Sequence, residues 1–86
     1  MQFRVEIRVT PREGILDPQG KAVAGALHTL GFEGVGEVHV GRLVVVEMDA
    51  GDEAAAQEAA TAMCRQLLAN PVTEDFDVRV LEAAAR

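Results

Sequence analysis

The chain has no tryptophan, no tyrosine and no serine, and it carries one cysteine, one lysine and three phenylalanines in 86 residues. Each shortage removes a class of function. Without serine, and with Cys64 placed mid-helix beside Met63 as a small core residue, there is no candidate for an activated nucleophile beside a base. A single cysteine forms no internal disulfide, so a reducing cytosol is the expected compartment. Aromatic scarcity leaves Val, Leu, Ile and Ala to build the core, and it leaves the middle strands without the rings on which an RNA-recognition domain stacks bases. Net charge is −6, the wrong sign for displacing counterions from nucleic acid or docking on an anionic membrane. No apolar run approaches the roughly 20 residues of a membrane span. The alternating start Met-Gln-Phe-Arg-Val-Glu-Ile is no signal-peptide core.

Metal and acid–base chemistry find little to work with. His28 and His39 fall on different elements, without helical pairing or a nearby cysteine motif. His39 sits on the polar side of its segment with Glu37. The carboxylates gather at Asp49, Asp52 and Glu53, and again at Glu74, Asp75 and Asp77, but the first group lacks calcium-loop spacing. Solvated loops and strand faces explain both groups.

Periodicity predicts one domain. Phe3, Val5, Ile7 and Val9 alternate with charged neighbours, a strand with one buried face. Asp17 is a candidate cap and Pro18 suits the first helical position of a helix over about Pro18–Leu30. Gly31 closes that helix in the left-handed conformation. Gly20, inside the first turn, has no propensity reason to be there, and suggests that something approaches the backbone closely. Glu37–Val40 and Leu43–Met48, separated by Gly41-Arg42, read as a hairpin. Leu43, Val44, Val45 and Val46 are apolar on both faces of their strand, a candidate subunit interface. Asp52 caps a second helix whose face is Ala56, Ala59, Ala60, Met63 and Leu67, small enough for close approach. Asn70-Pro71 ends it, since Asn tolerates the left-handed conformation and Pro cannot continue the helix. Phe76, Val78 and Val80 alternate in a last strand, and Leu81–Arg86 is a frayed tail.

The order β-α-β-β-α-β is the split pattern of ferredoxin-like domains, an α+β class with an antiparallel sheet and two helices on one face. That topology hosts many functions. A copper chaperone would need Met-x-Cys-x-x-Cys where this chain has Thr10–Gly14. Arg12 and Gly14 only faintly echo an acylphosphatase phosphate loop. An ACT-like module binding a small amino acid shares the strand–helix order and is the alternative reading.

Four segments in order carry a more specific resemblance: Leu16-Asp17-Pro18-Gln19-Gly20 with Val23 and Ala26-Leu27; Gly34-Val35 to Val38 with Val40-Gly41-Arg42; Met63-Cys64 with Leu67 to Pro71; and Val72 to Phe76. The chain resembles the PurS family, small subunits of phosphoribosylformylglycinamidine (FGAM) synthase. The resemblance implies a non-catalytic subunit in purine biosynthesis that binds no cofactor itself, with ATP and Mg acting at the level of the complex. It implies two partners, a large synthetase (PurL) that phosphorylates the amide oxygen of formylglycinamide ribonucleotide and a glutaminase (PurQ) that frees ammonia. It implies a homodimer, and leaves open strand sharing across the dimer, pairing into a tetramer when isolated, and a part in containing ammonia. Leu16, Asp17, Pro18, Gln19, Gly20 and Arg42, the last at a hairpin tip, are the candidate partner contacts. Leu43, Val44, Val45 and Val46 are the candidate dimer contacts. The expected location is cytoplasmic.

Overall fold

A computed structural model describes residues 1–82. Strand β1 (Gln2–Pro11) is followed by helix α1 (Pro18–Thr29), strand β2 (Arg42–Asp49), helix α2 (Glu53–Met63) running into one π-turn (Cys64–Leu68), and strand β3 (Glu74–Glu82). The sheet is antiparallel with order β2-β1-β3. Val5 stands opposite Val46 and Val80, and Ile7 opposite Val44 and Val78, so all three strands turn their apolar rows to one face.

The core lies on that face. Val5, Ile7 and Val9 are fully buried, Phe3 nearly so, and they pack against Ala56, Ala60 and Cys64 of α2 and its π-turn. The alanines let the helix sit close to the sheet, as their pattern predicts. Asp52 caps α2 by accepting from the Ala55 N–H at 2.8 Å. In the π-turn, the Ala69 N–H reaches back to the Cys64 carbonyl, five residues away.

The α+β class and the antiparallel sheet match the expectation; several details differ. Glu37–Val40 is extended but belongs to no strand, so the described residues contain three strands and no hairpin at Gly41-Arg42. Gly41 lacks the positive φ that a two-residue hairpin turn requires. Only α2 packs on the sheet: α1 buries nothing but Gly20 and stands off as an arm. The Cα radius of gyration is 16.4 Å, against about 12 Å for a compact chain of this length. Finally, Leu67 is 82% exposed, because the π-turn rotates it off the alanine face. Asn70 does not take up the left-handed conformation; Ala69 is already extended, and the Asn70 side chain accepts from the Val72 N–H in the turn that follows the helix. Leu81 and Glu82 belong to β3, and the rest of the expected tail lies outside the described residues.

Candidate functional site

Helix α1 has well-formed ends. Asp17 is its N-cap and Pro18 its first residue. At the other end the Gly31 N–H donates to the His28 carbonyl and the Phe32 N–H to the Leu27 carbonyl, with Gly31 at φ +99°, a Schellman closure. His28 Nε2 donates to the Val35 carbonyl at 2.7 Å, folding the next segment back along the helix.

The corner Leu16–Gly20 is locked to that returning segment. Asp17 Oδ1 accepts from the Gly20 N–H and Oδ2 from the Val40 N–H, each at 2.9 Å. These backbone bonds, Gly20 first and then Val40, hold the Asp17 carboxyl below its usual range, because they favour the charged form. The close approach expected at Gly20 is real and internal: a Cβ there would lie 1.9 Å from the Val38 carbonyl oxygen. Asp17 and Gly20 therefore shape the corner, while Leu16, 69% exposed, and the exposed Pro18 and Gln19 are its outer surface. Beside them a groove of about 250 Å³ is lined by the apolar Ile15, Leu16 and Val38 together with Lys21, Glu37 and His39.

Arg42 is not at a hairpin tip. It is the first residue of β2, opposite Val9, and both terminal nitrogens of its guanidinium are bonded within the chain. Nη1 donates to Glu74 Oε2 at 2.7 Å and Nη2 to Glu74 Oε1 at 3.0 Å, while Nη2 also donates to the Leu68 carbonyl at 2.6 Å. The Asn70 N–H donates to the same Glu74 Oε1. Arg42, then Asn70, holds the Glu74 carboxyl below its usual range. Arg12 is similarly occupied, paired with Asp75 at 3.2 Å and donating to the Pro71 carbonyl at 2.8 Å. Its faint likeness to a phosphate-loop arginine thus meets a guanidinium already used to tie β1 to the start of β3.

The dimer candidates split between two faces. Val44 and Val46 point to the α2 side and are only half-buried, because α1 does not cover them. Leu43 and Val45 lie on the helix-free face, 56% and 39% exposed, beside Arg8 and Glu6. Val23, Leu30 and Phe32 of the arm are exposed too. Cys64 is buried with its thiol pushed up by burial, as a core residue should be. Among the described residues no group of His, Cys, Asp or Glu is arranged to hold a metal, and no helix is long and apolar enough to cross a membrane.

Comparison with known proteins gives a consistent result. Residues 4–82 match the family described as PurS, phosphoribosylformylglycinamidine (FGAM) synthase. The synthase subunit PurS of Synechocystis is 42% identical over 84 residues, covering 95% of this chain and 84% of that protein. A crystal structure of Bacillus subtilis PurS superposes with a TM-score of 0.83 at 35% identity, over 93% of this chain and 99% of that one. A chain in the structure of PurLQS from Thermotoga maritima superposes with a TM-score of 0.85 at 30% identity, over 94% and 99%.

Proposed function

The chain belongs to the PurS family of FGAM synthase subunits, and from that premise we propose that it joins a PurL synthetase to a PurQ glutaminase in purine biosynthesis. The observation that carries this reading is its end-to-end likeness to a chain of the PurLQS assembly. The chemistry of the chain agrees. Its best-placed charged groups, Asp17, Arg12, Arg42 and Glu74, are engaged in holding its own segments together, and large apolar side chains such as Leu16, Leu30, Phe32 and Leu43 are left exposed. The subunit holds no cofactor; ATP and Mg serve the synthetase within the complex. It works in the cytoplasm.

The subunit acts as a homodimer. A second copy supplies what the isolated chain lacks: its α1 covers the half-buried row Val44, Val46 and Met48, and its Glu37–Val40 adds to the open edge of β2. The exposed corner of Leu16, Pro18 and Gln19, with the groove beside it, is the contact offered to a larger subunit, and Asp17 and Gly20 set its shape.

Reconstitution tests the subunit role. The source organism's synthetase and glutaminase are assayed for FGAM formation with and without this chain, with glutamine or free ammonia as nitrogen donor. The expected result is glutamine-dependent synthesis only when the chain is present, with ammonia-dependent synthesis by the synthetase retained without it. Equal glutamine-dependent rates with and without the chain would sink the reading.

A further inference from the structure

The stretch from Glu37 to Asp49 has two courses open to it. A turn at Gly41-Arg42 would fold Glu37–Val40 back on Leu43–Met48 and swing α1 over the sheet beside α2. The structure takes the other course, in which the chain runs straight through and α1 stands off. Both packings satisfy the hydrophobic pattern, so the choice rests on the hinge.

Three contacts at the hinge favour the straight course. Gly41 lies against the end of β1, where a Cβ would stand 2.3 Å from the Val9 carbonyl oxygen. Arg42 keeps its register opposite Val9. Its guanidinium joins the start of β2 to the start of β3 through both Glu74 oxygens, and to the π-turn through the Leu68 carbonyl. A turn at residues 41–42 would lift Arg42 out of that register and break all three of its hydrogen bonds. The π-turn itself presents the Leu68 carbonyl to the guanidinium, so the irregularity in α2 belongs to the same contact.

We propose that the Arg42–Glu74 pair is a latch that holds the α1 arm open, away from its own sheet, and so keeps the row Val44, Val46 and Met48 available to a second copy. Arg42 is thus a positioning residue rather than a partner contact. The arm's disposition stands on the hinge geometry alone; the consequence for assembly rests on the dimer proposed above.

Intrachain distances test the latch. Spin labels are placed on Ala22→Cys in α1 and Glu58→Cys in α2, both exposed, in a Cys64→Ala background. The labelled protein is diluted into excess unlabelled protein so that only distances within one chain are read. The unaltered hinge should give one long-distance population. Arg42→Ala and Glu74→Gln should each add a short-distance population, and the exchanged pair Arg42→Glu with Glu74→Arg, which restores the ion pair but not the bonds to Leu68 and Asn70, should make it smaller. Glu74→Gln keeps the side chain's size and its bond from Asn70, which guards against a variant that fails to fold. Unchanged distances in the folded variants, or a short population with the hinge intact, would overturn the latch. Sedimentation equilibrium separates the two readings. Both copies must be open to pair, so if the open fraction falls to about one tenth, apparent self-association weakens about a hundredfold. A parent protein monomeric at all concentrations, with distances that still respond to Arg42→Ala, would remove the dimer and leave the latch standing.

Discussion

The sheet with α2 and the arm with α1 are built from equally good local signals and end in opposite states. Both helices have an aspartate cap bonded to the third residue's N–H, and α1 has the better-formed C-terminus. Yet α2 buries Ala56 and Ala60 completely, while the arm leaves Val23 of α1, and Leu30 and Phe32 just beyond it, in solvent. Capping and propensity decide that a helix forms; burial of its apolar stripe decides where it goes. In the body, the fully buried row of β1 supplies that burial. In the arm, nothing within the chain does, and the excess apolar surface is what a small domain brings to an assembly.

Core substitutions should expose this asymmetry most strongly. Ile7→Ala removes buried atoms from the centre of the body and should cost about 2–5 kcal/mol in urea denaturation, whereas Leu30→Ala at the arm's end should change it by less than about 0.5 kcal/mol. Leu30→Ala should instead weaken self-association, and equal losses of stability from the two would erase the distinction between body and arm. Overpacking comes next. Ala60→Leu inserts bulk between α2 and the sheet and should cost about 1–3 kcal/mol. Gly20→Ala drives a Cβ into the Val38 carbonyl, so it should free Val38–Val40 to exchange amide protons faster while protection in β1 holds.

Smaller effects sharpen the comparison. The Asp17 carboxyl is held below its ordinary value of 3.8, so its contribution is complete above that pH and is lost as pH falls through the folded-state value. Acid titration should therefore release the Val40 amide, and Asp17→Asn should leave it exchanging faster even at neutral pH. In the body, Cys64 should label with a thiol reagent only at the rate of unfolding, because burial removes it from solvent and raises its pKa. The smallest change is expected for Leu67→Ala, within about 0.5 kcal/mol, since the π-turn leaves that side chain in water.

Much of this protein follows from sequence periodicity and end signals alone. The alternation of Phe3 to Val9 set β1 and its buried face; Asp17, Pro18, Gly31 and Asp52 set the helix ends; the alanines of α2 set its close approach; and four ordered segments placed the chain in its family. Even the oddity of Gly20 pointed to a close neighbour. These are local properties, settled by backbone geometry within a few residues. The tertiary structure decided the rest because it depended on partners distant in the chain. Whether Gly41-Arg42 turns or runs straight depends on Glu74, 32 residues beyond Arg42. The neighbour of Gly20 is Val38, brought there by Asp17 reaching 23 residues ahead to Val40. An extended Glu37–Val40 has the pattern of a strand, but a strand exists only where another chain segment offers its backbone groups. Within one copy, none of the described residues does.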